Sequence, residues 1–208
     1  MSARLAAALV LLLLLLMPLV AHAADTEPVI AVLGDSLTAG LGVAAGDAFP
    51  ARVQARLHRE GYRYRVVNAG VSGDTSASGL RRVDWVLRSR PEIVIVALGA
   101  NDGLRGLGVA AMQSNLTQIV ERLRAAGARV LLAGMRVPPN YGDDYARRFE
   151  DSFHRVAART GAILIPFLLA GDAGDPALNQ PDGIHPTAGG HVVIADNLWA
   201  YLKPLLKR

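Results

Sequence analysis

The sequence predicts an α/β fold: a three-layer α/β/α domain on a parallel sheet of about five strands. Short apolar runs alternate five times with helical patterns, which is typical of a parallel sheet with helices on both faces. The runs Ile30–Leu33 and Ile93–Leu98 are continuously apolar, as strands buried on both faces are. No repeat or long linker divides the 185 residues after position 23, a length that suits one domain.

The first 23 residues have the form of a signal peptide. Arg4 gives a basic start, residues 5–20 are apolar, and Ala21-His22-Ala23 fits a signal peptidase site. The apolar run is shorter than the ~20 residues of a membrane span, so cleavage is favoured over an uncleaved anchor. We expect a signal peptide over 1–23, one domain over 24–208, and a periplasmic or secreted protein.

Composition excludes some other classes of protein. The chain has no cysteine, so an exported form must be held together by packing rather than by disulfides. The formal charge is +4, and loss of Arg4 leaves +3, so the mature domain is mildly basic. The pairs Arg81-Arg82 and Arg147-Arg148 lie in helical patterns, where solvated faces are the default, and no aromatic residues interleave with them. Nucleic-acid binding is therefore not expected.

The first half of the chain carries clear boundary signals. The first strand stops at Gly34-Asp35-Ser36. A helix over 49–60 begins with Pro50 in its first turn and is closed by Gly61. The remaining predicted elements of this half are a strand over 64–67, a helix over 76–88 and a strand over 93–98.

The second half continues the alternation. Gly127 and Gly161 are predicted to end two long helices. The predicted elements are helix 109–126, strand 129–135, helix 145–160, strand 163–167 and a last helix over 187–202. A loop rich in Gly, Asp and Pro precedes the last helix. His58 and His154 fall on helix faces and are interpreted as surface or structural residues.

Polar residues follow three of the predicted strands. Ser36 comes after the first, Gly70 after the second and Asn101 after the third. In a doubly wound sheet these strand ends are neighbours along one edge, where ligands bind. Taken alone, Ser36 is better explained as a helix N-cap than as a nucleophile. The three ends together favour a catalytic site.

A fourth polar cluster is Asp182-Gly183-Ile184-His185-Pro186, in the loop before the last helix. An acid and an imidazole three residues apart on a turn can face the same way, so that the carboxylate holds one ring nitrogen. Pro186 restricts the backbone of His185 to extended conformations. Taken alone, this cluster is a helix-capping turn with an incidental histidine.

Together the four clusters supply the groups that acyl transfer needs. Ser36 is a weak nucleophile until a base takes its proton, and His185 is the candidate base. Asp182 would orient the imidazole and stabilise its cation. The backbone amides of Ser36 and Gly70, with the side-chain amide of Asn101, would stabilise the oxyanion.

Four sequence blocks resemble those of the SGNH, or GDSL, hydrolase family. They are GDSLTAG at 34–40, NAGVSGDT at 68–75, LGAND at 98–102 and DGIHP at 182–186, in the family's order. The resemblance implies a flavodoxin-like α/β/α fold and hydrolysis of esters or thioesters through an acyl-enzyme, with no cofactor and no metal. The residues that it marks are Ser36, Gly70, Asn101 and His185, with Asp182 completing a triad.

Within the family the chain is most similar to a group of small exported esterases, called thioesterase I, protease I or lysophospholipase L1. Segments 71–76, 99–102 and 138–142 carry this likeness. It implies a serine esterase acting on arylesters, lysophospholipids and acyl thioesters, with segments 103–109 and 136–145 shaping the acyl pocket. We expect a monomer that makes at most weak peripheral contact with a membrane.

Alternative functions stay open on the same residues. A carbohydrate O-acetylesterase would use the same machinery, and an exported lipid-binding protein would use the cleft without turnover. Other classes fit less well. Thr38 breaks the G-x-S-x-G elbow of α/β-hydrolases, and the glycines at 40 and 42 do not open a helix directly from a strand, as a dinucleotide site requires. His185 and His191 have no third metal ligand at suitable spacing.

Overall fold

A computed structural model describes residues 27–208 of the chain. The predicted signal peptide at 1–23 lies outside the described residues. The strands are β1 (Val29–Gly34), β2 (Arg65–Gly70), β3 (Pro91–Ala97), β4 (Arg129–Ala133) and β5 (Ile163–Ile165). The α-helices are α1 (Ser36–Ala39), α2 (Phe49–Arg59), α3 (Ser76–Leu87), α4 (Ala100–Leu104), α5 (Val109–Ala125), α6 (Asp143–Thr160) and α7 (Ala188–Leu202). Short 3₁₀ turns lie at Pro139–Tyr141 and Lys203–Leu205.

The five strands form one parallel sheet in the order β2-β1-β3-β4-β5, which confirms the predicted fold class. This is the doubly wound order, in which the chain changes direction across the sheet between β1 and β3. Gly34 at the end of β1 pairs with Gly70 of β2 and with Ala97 of β3. The polar residues that follow these three strands therefore start from one edge of the sheet.

Helices form the two outer layers. Helix α2 packs against α7, while α5 lies between α3 and α6. The central strands are buried between the layers, and Ile30–Leu33 have no exposed surface. This explains the continuously apolar runs of β1 and β3. Within residues 27–208 no helix is both long and apolar enough to span a membrane.

Several element boundaries differ from the predictions. Strand β2 runs on to Gly70, beyond the predicted end at Val67. It is an edge strand with exposed polar residues such as Asn68, so its pattern does not read as a buried run. Helix α4 was not predicted, because its five residues are too few to show a helical period. Strand β4 ends at Ala133 rather than Met135.

His191 on α7 should make stability depend on pH. The ring is 1% exposed, and its Nδ1 accepts a hydrogen bond from the Phe49 amide at 3.2 Å. Burial, aided by the charge of Arg52, lowers the pKa of His191 from 6.5 to about 4, with Asp47 acting in the opposite direction. Between these pH values the unfolded chain binds the additional proton. The free energy of unfolding should therefore fall as pH decreases from 6.5 towards 4.

Denaturant unfolding of wild type and His191→Asn near both ends of this window tests the prediction. The introduced side-chain oxygen can still accept from the Phe49 amide, so wild type should lose stability relative to the variant as pH falls. His58→Asn, at an exposed position of α2, is the control. Burial raises the pKa of Asp35 and of Asp172 to about 6, which has the opposite effect on stability, but both groups are present in every variant. Equal pH dependence in all three proteins would contradict the prediction.

Candidate active site

Ser36 is the first residue of the short helix α1, directly beyond the carboxyl end of β1. Asp35 is the N-cap of this helix, and its Oδ1 accepts a hydrogen bond from the Leu37 amide at 3.1 Å. Gly40 ends the helix in the left-handed conformation at φ 78°. The capping function belongs to Asp35, so the interpretation of Ser36 as the N-cap is wrong. The Ser36 hydroxyl is free for another contact.

A chain of two hydrogen bonds joins Ser36, His185 and Asp182. Ser36 Oγ lies 2.9 Å from His185 Nε2, and His185 Nδ1 lies 2.7 Å from Asp182 Oδ2. The bond with the His185 ring, followed by those from the His185 and Ile184 amides, lowers the pKa of Asp182 to about 2. Asp182 is therefore a carboxylate at neutral pH. It favours the tautomer in which Nδ1 carries the proton and Nε2 accepts from the serine.

The loop that carries the histidine is fastened at both ends. Asp182 Oδ1 accepts from the amides of Ile184 and His185, each at 3.0 Å. The backbone N–H of Gln180 donates to the His185 carbonyl at 2.7 Å. The side-chain amide of Gln180 donates to the carbonyl of Leu41, just beyond α1, at 2.7 Å. These bonds tie the imidazole to the part of the chain that carries Ser36.

Asn101 lies in the first turn of α4, where its side-chain amide already has two acceptors. Nδ2 donates to the Asp74 carbonyl at 3.1 Å and to Asp35 Oδ2 at 3.4 Å. The bond to Asp35 is long and therefore weak, so the hydrogen in it is the easier of the two to redirect to another acceptor. The structure thus brings Asn101 to the same edge as Ser36 and His185.

Gly70 is the last residue of β2, and its position in the site differs from that of Asn101. Its amide donates to Asn68 Oδ1 at 2.9 Å, and it lies outside the described wall of the main cavity. A Cβ here would lie 2.3 Å from the Ala39 nitrogen and 2.7 Å from the Thr38 carbonyl carbon. Position 70 therefore requires glycine because α1 packs directly on the end of β2, where a side chain has no room.

A cavity of about 450 Å³ opens beside the Ser36 hydroxyl. Its polar lining includes Ser36, Asn101 and His185. Much of the remaining wall is apolar, from Leu104, Met135, Val137, Phe167, Leu169 and Ile184. The two segments predicted to shape the pocket contribute Leu104 and residues 136–138. Phe167 and Leu169, which lie outside those segments, supply a further part of the wall.

Asp35 is a site residue that sequence reasoning missed. It is 1% exposed and lines the cavity beside Ser36. Burial raises its pKa to about 6, although the bond from the Leu37 amide and the charge of His185 act in the opposite direction. An Asp between a strand and a helix was the available signal, but it indicates a cap and gives no information on burial.

Arg82 corrects a second expectation. A solvated position is right for Arg81, which is exposed, but wrong for Arg82. The Arg82 side chain is 22% exposed, and its guanidinium donates to the ends of two strands and to Asp74. Within residues 27–208 no three acidic or histidine side chains cluster so as to hold a metal ion.

Comparison with known proteins places this site in a family. Residues 32–193 match the model of the GDSL-like lipase/acylhydrolase family. Esterase TesA of Pseudomonas aeruginosa is 46% identical over 176 residues, which cover 84% of this chain and 88% of that protein. Thioesterase 1/protease 1/lysophospholipase L1 of Escherichia coli is 38% identical over 196 residues, covering 94% and 91%. A crystal structure of TesA superimposes with a TM-score of 0.84 at 45% identity, covering 86% of this chain and 99% of that one. The chain therefore belongs to the GDSL-like lipase/acylhydrolase family, and it is a serine hydrolase.

Proposed function

We propose that Ser36 is the nucleophile and His185 the general base of an ester- and thioester-hydrolysing enzyme. The observation that carries this proposal is the hydrogen-bonded chain from Ser36 Oγ through His185 to Asp182, at 2.9 and 2.7 Å. As Ser36 Oγ attacks the acyl carbon, His185 Nε2 takes its proton and then gives it to the departing alcohol or thiol. Water hydrolyses the acyl-enzyme through the same base. The carboxylate of Asp182 stabilises the imidazolium formed in each step.

The oxyanion would be held by the amides of Ser36 and Gly70 and by Nδ2 of Asn101. Two of these donors have other acceptors in the free enzyme, namely Asn68 Oδ1 for Gly70 and Asp35 Oδ2 for Asn101. A neutral ester carbonyl competes weakly with them, whereas a negatively charged oxygen competes strongly. The exchange therefore occurs mainly in the transition state, where it accelerates the reaction.

The shape of the cavity supports a single acyl chain as the group that is transferred. Its apolar side chains begin beside the Ser36 hydroxyl, so an acyl chain can lie along them while the carbonyl reaches Asn101. The relatives are named as an esterase and as a thioesterase and lysophospholipase, which supports the same substrate classes here. We therefore infer arylesters, lysophospholipids and acyl thioesters as substrates, with no cofactor.

Export limits which of these substrates the enzyme meets. We propose that residues 1–23 are removed as a signal peptide and that residues 24–208 act as a monomer in the periplasm or outside the cell. Coenzyme A thioesters are made and used in the cytoplasm, so we infer that single-chain lipid esters at an envelope membrane are the natural substrates. The +3 charge of the mature chain gives only weak attraction to anionic lipid, about 1 kcal/mol for each cation near the surface.

A panel of p-nitrophenyl esters from acetate to palmitate, run beside lysophosphatidylcholine and acetylated xylan, tests the substrate class. We expect kcat/KM to be highest for a medium or long acyl chain, because each additional buried methylene contributes about 0.8 kcal/mol until the cavity is filled. Lysophosphatidylcholine should be hydrolysed, and intact two-chain phospholipid should react slowly. The Ser36→Ala variant measures the turnover that does not depend on the proposed nucleophile.

Fast deacetylation of xylan, with slow turnover of every longer ester, would contradict this prediction and favour the carbohydrate O-acetylesterase. The described cavity wall argues against that outcome, since its aromatic member is Phe167, and the guanidinium of Arg136 lies 4.8 Å from the centre of that ring. A Ser36 that does not react with a fluorophosphonate probe would favour a lipid-binding protein without turnover.

A further inference from the structure

If Gly70 and Asn101 are oxyanion donors, as the proposed function requires, the residue that holds both of them in place is Arg82. We propose that Arg82 is a positioning residue that holds Gly70 and Asn101 in the geometry in which both donate to the oxyanion. Arg82 lies on α3, outside the four sequence blocks and outside the described cavity wall. It therefore acts through other groups and not by touching the substrate.

The Arg82 guanidinium joins three pieces of chain at the carboxyl edge of the sheet. Nη2 donates to the carbonyl of Gly34, the last residue of β1, at 3.1 Å. Nη1 donates to the Ala69 carbonyl, at the end of β2, at 2.8 Å. Nε donates to the Asp74 carboxylate at 2.7 Å, and Nη2 lies 2.5 Å from the same oxygen.

The contact with Ala69 acts directly on the proposed Gly70 donor. The Ala69 carbonyl and the Gly70 N–H belong to one planar peptide unit, so fixing one fixes the direction of the other. A charged donor on the carbonyl oxygen also polarises the unit and strengthens the N–H as a donor. Arg82 thus sets both the direction and the strength of the Gly70 amide.

The contact with Asp74 acts on Asn101 through one further bond. The Arg82 ion pair holds Asp74, whose side chain is 13% exposed. The Asp74 carbonyl in turn accepts from Asn101 Nδ2 at 3.1 Å. This bond occupies one amide hydrogen of Asn101, while the other takes part only in the long bond to Asp35, with 3.4 Å between Nδ2 and Oδ2.

Arginine is suited to this position because three of its nitrogens donate in fixed directions within one plane. A lysine ammonium is a single point donor, which can pair with Asp74 but cannot also reach the Gly34 and Ala69 carbonyls in the same geometry. The positive charge is balanced by Asp74, so the contribution to catalysis is alignment and not direct attraction of the oxyanion.

The test compares Arg82→Ala and Arg82→Lys with Arg81→Ala, a neighbouring exposed arginine on the same helix. Misplacement of reacting groups by about 1 Å can cost 10²-fold, so we expect kcat to fall about 10- to 100-fold in both Arg82 variants. KM should stay within about twofold, because the two donors that Arg82 positions bind the oxyanion mainly in the transition state. Arg81→Ala should keep wild-type kcat.

Chemical rescue separates positioning from a general structural role. Guanidinium ion at non-denaturing concentration should restore part of kcat in Arg82→Ala in a saturable way, while methylammonium at equal ionic strength should not. If Arg82→Ala does not fold, Arg82→Lys carries the test, and an unchanged kcat in a folded Arg82→Lys overturns the proposal. A change confined to KM, or no rescue in a folded Arg82→Ala, also overturns it.

A double-mutant cycle with Asn101→Ala provides the second readout. If Arg82 acts in part through Asn101, Arg82→Ala should lower kcat less in the Asn101→Ala background than in wild type. Independent, multiplying losses would contradict this route. The proposed function is judged separately: full activity in Ser36→Ala refutes the nucleophile, and full activity in Asn101→Ala refutes that donor. A wild-type kcat in folded Arg82 variants refutes the positioning role alone.

Discussion

Replacing Ser36 with alanine should lower kcat for a p-nitrophenyl ester about a million-fold. The residual rate would come from substrate binding and the oxyanion donors. His185→Ala should cost a similar factor, because nucleophile and base act as one unit through the 2.9 Å bond between Oγ and Nε2. The two losses should not multiply in the double variant. Steady-state kinetics with a single-turnover assay for the slow variants measures the effect.

Two control variants test whether the loss of kcat is specific to Ser36 and His185. Ser72→Ala removes an exposed hydroxyl from the loop after β2, and His154→Ala removes an exposed imidazole from α6. Both should retain wild-type kcat. Thermal unfolding should show that Ser36→Ala remains folded, since the Asp35 cap of α1 is untouched. Near-wild-type turnover in either site variant would refute the assignment of nucleophile and base.

Asp182→Asn should be the next most severe change, with a loss of kcat of about 10⁴-fold. The introduced side chain can keep its oxygen on the Ile184 and His185 amides, so the loop should hold its shape. Its NH₂ would then face His185 Nδ1, which must become the acceptor. The proton moves to Nε2, and the ring can no longer take the proton of Ser36.

Asp175→Asn is the matched control for this change. Asp175 is an exposed acid in the same loop, and its Oδ1 accepts from the Ala177 amide at 2.8 Å, much as Asp182 Oδ1 accepts from Ile184. It should leave kcat unchanged.

Because the pKa of Asp182 is about 2, protonation of this carboxyl cannot account for activity lost between pH 7 and pH 5. A mild effect of Asp182→Asn would mean that another group orients the ring.

The sequence by itself determined the fold class and predicted the chemistry of the site. The buried strands β1 and β3 were visible because burial on both faces removes polar residues from a local run. The closing glycines at 61, 127 and 161 marked helix ends, because a left-handed turn excludes most side chains. The blocks around Ser36, Gly70, Asn101 and His185 indicated acyl transfer, because few other reactions need this set of groups.

The tertiary structure alone decided which of these groups meet and what supports them. The bond between Ser36 and His185 joins residues 149 positions apart, so it depends on the strand order and on the loop fixed by Gln180. The raised pKa of Asp35 depends on burial beneath the cavity, which no local pattern records.

Arg82 shows the same limit most clearly. Beside Arg81 on the same helix it has the same sequence context, yet one side chain faces solvent and the other reaches two strand ends. Short-range patterns encode period and caps, because those interactions span a few residues. Contacts between distant residues depend on how the whole chain packs, and so the contacts of Arg82 with the two strand ends became visible only in the folded molecule.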